Sequence, residues 1–402
     1  MIPQKERDAL LTGALLRMER IRQGRGQKDV CFGICVPSYL SKIERGIAYA
    51  DPVLAAELFG RLGIRYETDA SVLERFREAM REYFYRLNYH LDTKEIYREW
   101  KEKDQELSYS PLAIEWLLVK GFEEEKVSDL LETLWEAMDP RQQAYGNLVL
   151  WSQNPRAEEG IARCRAACQV LDSAFAMCCL CMAYLEQGDY AAIHRMENKV
   201  VAAAVEEGNT WQLADYCYLN GTAYACLDLE EMMMTYYERS IRLLQNTAWN
   251  RELADLYYNI GATCISLKKY EEAWEYLEKA KQVSGEDGAS VLHKKAIVQI
   301  RTGRISQGQE LLKCLKKLLE HEPWTEPGDW LKYEEACMEC QKDFLSDPKY
   351  LALLERLIAV LEMERHPGHL YFYKDVIVDA YKKQRKYKKA LEFEERLRSI
   401  SF

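Results

Sequence analysis

The chain has 402 residues, of which 48% are hydrophobic and 30% charged, with a formal net charge of −10. This length exceeds what one hydrophobic core usually serves, so more than one domain is expected. No apolar run approaches the ~20 residues that cross a bilayer, and the start lacks the apolar core of a secretory leader. We therefore expect a cytoplasmic protein without a membrane partner. The 13 cysteines are scattered through helical patterns, which argues against a disulfide framework.

The charge is unevenly distributed. Residues 1–65 contain eleven Lys and Arg against seven Asp and Glu, a net of +4 that leaves −14 on the rest of the chain. We call residues 1–66 the head. Only the head has the sign of charge that could approach a polyanion such as nucleic acid.

The head predicts four helices joined by short turns. A first helix ends at "RQGRG", and a short second helix begins near Gln27. A third runs from Pro37, which suits a first turn, to a stop before Gly46. A fourth begins after Asp51, a good N-cap residue.

The third helix separates into two faces. Leu40, Ile43 and Ile47 follow helical spacing and are expected in the core. A second stripe, here called the polar stripe, consists of Ser38, Ser41, Lys42 and Arg45.

The polar stripe contains no acid. Short hydroxyls allow a close approach to a surface, and Ser, Lys and Arg side chains bind phosphates or base edges. The alternative is an ordinary solvated face, although such faces usually mix Glu with Lys. A short helix, a turn and a polar-faced helix together favour contact with DNA.

The stretch "QKDVCFGICVPSYLSKIERG", followed by "DPVLAAELFGRLGI", resembles the Cro/repressor-type (XRE) helix-turn-helix domain over roughly residues 8–65. The resemblance implies that Gln27, with Lys28 beside it, binds a phosphate, and that Arg20 and Glu44 form an internal ion pair. It implies that base edges are read by Pro37, Ser38, Ser41 and Lys42. It also places near the DNA backbone Tyr39 and Arg45. Long amide side chains usual at the head of such a helix are replaced here by Pro37 and Ser38, so base selectivity is expected to be limited or to depend partly on DNA shape.

The rest of the chain contains a repeat. Residues 213–244 ("LADYCYLNGTAYACLDLEEMMMTYYERSIRLL") align without gaps with residues 253–284 ("LADLYYNIGATCISLKKYEEAWEYLEKAKQVS") at an offset of 40. Small residues in the first helix and aromatic anchors in the second make each segment similar to a tetratricopeptide repeat. Weaker copies flank them, and residues 71–160 are helical with a poor repeat match.

Stacked helix pairs of this kind form a curved solenoid with a concave inner wall. Tyr and Asn side chains on that wall suit a bound peptide, because Asn offers a donor and an acceptor and Tyr a flat surface with a polar tip. The alternative is ordinary packing between helices. The residues expected on or beside the wall, and as peptide contacts, are Asp215, Tyr218, Asn220, Thr222, Asp255, Tyr258, Asn259, His293 and Arg301.

No enzyme motif is present. The chain has no phosphate-binding glycine loop, nucleophile elbow, zinc-protease helix or dinucleotide fingerprint. "CMEC" (Cys337 and Cys340) has metal-like spacing but lacks a companion pair. We therefore predict no catalytic residue, no cofactor and no metal site.

Together, a repressor-type head and a repeat body resemble the peptide-sensing RRNPP transcription regulators of Gram-positive bacteria. This implies an all-α fold, with a helix-turn-helix domain (1–66), atypical helices (67–160) and a right-handed α-solenoid of tetratricopeptide-like pairs (161–402). It also implies a homodimer that binds a palindromic operator in double-stranded DNA, modulated by a short signalling peptide. Two alternatives remain: a scaffold that binds a folded protein partner, and a repressor with no peptide ligand.

Overall fold

The computed structural model describes residues 3–123, 125–227, 229–321, 327–364 and 369–400. It contains two compact units, Met1–Leu180 and Cys181–Phe402. Within the described residues every regular element is a helix, and the predicted all-α class with a solenoid of tetratricopeptide-like pairs is confirmed. The domain boundaries at residues 66 and 160 stay predictions. No helix in the described ranges is long and apolar enough to span a membrane.

The first unit begins with the head. Its four helices are α1 (Gln4–Arg22), α2 (Gln27–Cys31), α3 (Pro37–Glu44) and α4 (Pro52–Arg61). Then follow α5 (Ala70–Asn88), α6 (Lys94–Lys101), α7 (Asp104–Ser108), α8 (Ala113–Phe122), α9 (Ser128–Leu134), a single 3-10 turn (Trp135–Ala137), α10 (Pro140–Gln153) and α11 (Gly160–Leu171).

Helix α12 (Ala174–Gln187) runs through the point where the two units divide. The described helices after it are α13 (Tyr190–Arg195), α14 (Glu197–Glu207), α15 (Thr210–Cys226), α16 (Glu230–Leu244), α17 (Asn250–Ser266), α18 (Tyr270–Ser284), α19 (Ala289–Arg301), α20 (Ile305–His321), α21 (Pro327–Glu339), α22 (Pro348–Glu364), α23 (His369–Lys383) and α24 (Tyr387–Ile400), with a 3-10 turn at Phe344–Ser346.

The four predicted helices of the head are confirmed. Helix α1 packs on α3 and α4, and α2 packs on both of them as well. Asp51 caps α4 by accepting a hydrogen bond from the amide of Leu54 at 2.9 Å. Gly46 has a φ of 70°, a left-handed conformation that turns the chain after α3. The core position expected for Ile47 is wrong: α3 ends at Glu44, so Ile47 leaves the helical face and is 65% exposed.

The second unit is built from helix pairs. In the first good repeat Gly221 on α15 faces Tyr237 on α16, and in the second Gly261 on α17 faces Leu277 on α18. The second contact repeats the first after 40 residues, as the alignment predicts. A Cβ at either glycine would lie within 3 Å of the facing side chain, so the small residue sets the close approach of the pair. Helices α19 and α20, α21 and α22, and α23 and α24 form further pairs.

A glycine also sets the spacing in the head. Gly13 on α1 lies against the backbone of α3, where a Cβ would clash with the carbonyl oxygen of Ile43. A backbone atom cannot move away as a flexible side chain can, so Gly13→Ala should lower the free energy of unfolding of the head by about 1–3 kcal/mol.

Gly60 provides the control, because it lies in α4 and a Cβ added there would meet nothing within 4 Å. Gly60→Ala should raise the stability of the head by up to about 1 kcal/mol, through helix propensity alone. Amide hydrogen exchange in residues 4–61 measures both effects. Equal protection in the two variants would contradict the close contact between α1 and α3.

Candidate functional site

The polar stripe lies on the outer side of α3. Leu40 and Ile43 are fully buried beneath it. Ser38, Lys42 and Arg45 are exposed, and Ser41 is half-buried. Within the described residues Lys42 makes no ion pair, and the Nε of Arg45 donates to the backbone oxygen of Ser41 at 3.1 Å. The donors of the stripe therefore face solvent.

The remaining predicted DNA contacts lie at the edge of this surface. The exposed ones are Lys28, Pro37 and Tyr39. The hydroxyl of Tyr39 donates to the backbone oxygen of Tyr49 at 3.4 Å. Gln27 is the first residue of α2, as predicted, and is half-buried. Its contact with a phosphate stays a prediction.

Glu44 connects three helices of the head. Its carboxylate is buried and accepts hydrogen bonds from Arg20 Nε at 2.5 Å and Arg20 Nη2 at 2.9 Å. The amide nitrogen of Gln27 donates to the same carboxylate at 2.8 Å. The ion pair between Arg20 and Glu44, implied by the family resemblance, is confirmed. The acid of α3 is thus used inside the fold and does not oppose the polar stripe.

The head also contacts Tyr109, which follows α7 in the same unit, and the sequence did not reveal this contact. The buried carboxylate of Glu19 accepts from the hydroxyl of Tyr109 at 2.8 Å and from Arg22. The hydrogen bond from Arg22 holds the pKa of Glu19 below its usual value, although burial opposes this. The backbone oxygen of Tyr109 accepts a hydrogen bond from the amide of Glu67 at 2.9 Å. The ring centroid of Tyr109 lies 5.8 Å from that of Phe59.

Two adjoining cavities, here called the inner groove, lie between the helix pairs of the second unit. Their volumes are about 240 and 200 Å³, and both are lined by Tyr258, Lys294 and Phe372. Predicted peptide contacts on the first cavity are Tyr218, Thr222, Tyr258 and Asn259. The second cavity is lined by Tyr258 and His293.

Polar groups on the first cavity are held by one another. The amide nitrogen of Asn259 donates to the hydroxyl of Tyr218 at 2.7 Å. The hydroxyl of Thr222 lies 3.1 Å from that of Tyr237. These bonds fix the side chains in place before any ligand binds, which reduces the entropy lost on binding.

Four of the predicted peptide contacts lie elsewhere. Asn220 is fully buried, where its amide bonds to Tyr216 and His194, so we do not retain it as a groove residue. Arg301 forms a bidentate ion pair with Glu339 at 2.7 and 3.1 Å. Asp215 and Asp255 do not line either cavity.

The structure brings three further residues to the groove that the sequence analysis did not name, namely Lys294, Phe372 and Tyr373. Phe372 and Tyr373 belong to α23, which packs against α17. In the described part of the chain no cluster of three or more His, Cys, Asp or Glu residues could hold a metal ion, and Cys337 and Cys340 gain no third ligand.

No protein-family model and no curated protein matches this chain. Its fold, however, is similar to that of a Rap protein solved in complex with Competence and Sporulation Factor. The TM-score is 0.60 with 12% identity, over 81% of this chain and 97% of the Rap chain. It is also similar to the apo form of the quorum sensor NprR from B. thuringiensis, with a TM-score of 0.56, 17% identity, and coverage of 82% and 100%. At identities this low, the structural similarity shows a shared tetratricopeptide-like fold.

Asp215 gives a pH-dependent prediction. Desolvation raises its pKa from 3.8 to about 7, so the folded chain keeps a proton that the unfolded chain releases near pH 4. Stability contributed by this group is therefore lost as the pH rises from 4 to 7. Asp215→Asn should be more stable than the parent chain at pH 8, and the difference should shrink toward pH 4.

Thermal unfolding across this pH range measures the effect. Asp379→Asn, at an exposed aspartate of α23, is the matched control and should follow the parent chain. A constant difference between Asp215→Asn and the parent chain at all pH values would contradict the raised pKa.

Proposed function

We propose that this chain is a DNA-binding transcription regulator whose repeat domain dimerises and binds a short signalling peptide that modulates DNA binding. The observation that carries the proposal is the acid-free polar stripe on α3. Three of its four side chains are exposed, while the one acid of the helix is paired with Arg20 inside the head. Such a helix can enter a major groove without repelling phosphates.

The inner groove supports the peptide-binding part of the proposal. Its lining combines aromatic rings with amide and hydroxyl groups, which suits an extended backbone. The fold is shared with a quorum sensor and with a Rap protein that was solved with a factor bound. In a dimer, two copies of α3 about 34 Å apart would meet successive turns of a palindromic site.

Peptide and DNA binding would be coupled through the dimer. A peptide that binds one dimer arrangement more tightly than another shifts the population between them, and with it the affinity for the operator. Sedimentation of the chain with and without DNA tests dimerisation directly. A stable complex with a folded protein, in the absence of both DNA and peptide binding, would favour the scaffold alternative.

Lys42→Glu tests the polar stripe. The substitution places an acid where we expect a phosphate or a base edge, so the affinity for DNA selected from a random-sequence pool should fall about tenfold or more. The dependence of the binding constant on salt should also weaken, since one cationic contact is lost. Lys42 is exposed, so thermal unfolding should be unchanged.

Lys126→Glu is the matched control, because it makes the same charge change at an exposed lysine outside the head. It should leave the affinity for DNA close to that of the parent chain. Unchanged binding by Lys42→Glu would refute the assignment of the reading face. If the parent chain binds no DNA even at low salt, the proposed function itself fails.

A further inference from the structure

Three buried polar side chains on the second cavity each have a polar atom that lacks a hydrogen-bond partner among the described residues. Lys294, His293 and Tyr373 are 6%, 4% and 3% exposed. Within the described residues the ammonium of Lys294 makes no ion pair or hydrogen bond, and neither the Nε2 of His293 nor the hydroxyl of Tyr373 has a hydrogen-bond partner. Buried polar groups are nearly always paired, so two buried unpaired atoms beside an unpaired ammonium favour a polar ligand at this cavity.

The adjacent residue shows what a satisfied lysine looks like on this helix. Lys295 is 1% exposed, and its ammonium lies 2.7 Å from the carboxylate of Glu278 and 2.6 Å from that of Asp287. Lys294, one position earlier on α19, has no such carboxylate. Since α19 buries both lysines, the difference lies in what surrounds each one.

Two acidic groups near this cavity are paired with other cations. Glu339 is paired with Arg301, and Asp329 lies 2.9 Å from the ammonium of Lys332. Burial, with Glu339 nearby, raises the pKa of Glu335 well above its usual value, which disfavours the charged form that would pair with Lys294.

Within the described residues the ammonium of Lys294 is therefore not paired with a carboxylate. Burial lowers the pKa of Lys294 well below its ordinary value, and the positive charges of Lys332 and Arg301 lower it further. The ammonium lies 3.0 Å from the ring centroid of Phe372 and 5.6 Å from that of Tyr373. A cation–π contact offsets only part of the cost of burying a charge.

We infer that the inner groove binds its peptide through a carboxylate held by Lys294 and Tyr373. The ammonium and the phenolic hydroxyl are donors, and a carboxylate accepts from both. This inference rests on the proposed peptide-binding function and names the chemical group that the groove recognises. The carboxylate is either the C-terminus of the peptide or an acidic side chain.

His293 fits the atoms next to such a carboxylate. Burial lowers its pKa well below the usual value, so the imidazole is neutral. One ring nitrogen is hydrogen-bonded to the backbone of Lys332, which leaves Nε2 as an acceptor. A peptide amide N–H close to the carboxylate can donate to it. The rest of the peptide would extend past Tyr258 into the first cavity, toward Tyr218 and Asn259.

The test uses the full chain and three equimolar pools of short peptides. The first pool has free C-terminal carboxyls and no Asp or Glu. The second has the same sequences with C-terminal amides. In the third, the amidated peptides each contain one Glu. After ultrafiltration with the protein, mass spectrometry counts the peptides retained from each pool.

Retention from the first or third pool should exceed retention from the second about tenfold or more, since a buried ammonium is paired only in those pools. Enrichment of the first pool identifies the C-terminus, and enrichment of the third identifies a side chain. Lys294→Met should abolish the preference and Lys294→Arg should keep most of it. Lys313→Met, at an exposed lysine of α20, should behave as the parent chain does.

Two results would overturn the inference, and they differ in what they imply. If amidated peptides are retained as well as the acids, or if the preference survives Lys294→Met, the carboxylate anchor is refuted. Peptide binding itself would still stand. Retention of no pool removes peptide binding and the anchor together. Lys294→Met replaces a buried charge by an apolar chain of similar length, so it should fold, and its unfolding temperature verifies this.

Discussion

The carboxylate of Glu44 is the constraint on which the head depends. It is buried and binds Arg20 from α1 and Gln27 from α2, while Glu44 itself belongs to α3. An uncompensated charge at this place would be costly, so the three helices keep their relative positions. With α3 held in this way, Leu40 and Ile43 point inward and the polar stripe points outward. One short helix therefore separates its structural acid from its recognition donors.

The second unit also contains both charged side chains that are paired inside the fold and one that is available to a ligand. Lys295 and Arg301 on α19 are each paired with carboxylates of neighbouring segments. These pairs hold α19 in its place in the solenoid. Lys294 lies next to Lys295 on the same helix, and its ammonium contacts the ring of Phe372 but forms no ion pair among the described residues. The groove therefore combines polar groups that are already held in place with one basic side chain that has no carboxylate partner among the described residues.

The periodic features of the chain could be predicted from the sequence. Four helices of the head follow from Pro, Gly and Asp at their ends, and the two good repeats follow from an ungapped alignment. Both depend on local spacing, which sequence shows directly. The predicted core position of Ile47 was wrong because the helical spacing was continued past Gly46, where the chain turns.

The groove residues were harder to predict, because a shift of one residue moves a side chain by about 100° around the helix axis. Asn220 and Asn259 look alike in sequence, but they are 39 residues apart in a repeat of 40. Asn220 therefore faces the interior and Asn259 faces the groove.

Lys294 was missed for a related reason. Helices α17 and α18 come close at Gly261 and Ala273, and helices α19 and α20 come close at Ala296 and Gly308. The second contact lies 35 residues after the first, not 40. Lys294 is thus the counterpart of Asn259, whereas the sequence analysis expected His293 and Arg301 as the peptide contacts on this helix. Phe372 comes from α23, far along the chain, and no local pattern predicts its approach to Lys294.

The burial of Lys294 also has a chemical consequence. A lysine with a lowered pKa is unprotonated for more of the time, and the neutral amine is the form that attacks activated esters and carbonyls. An ordinary exposed lysine, with a pKa near ~10.4, is much less nucleophilic at neutral pH. A small acylating reagent that enters the inner groove would thus find more of the reactive amine form at Lys294 than at an exposed lysine. The extent of that modification would report directly how much of the groove is occupied.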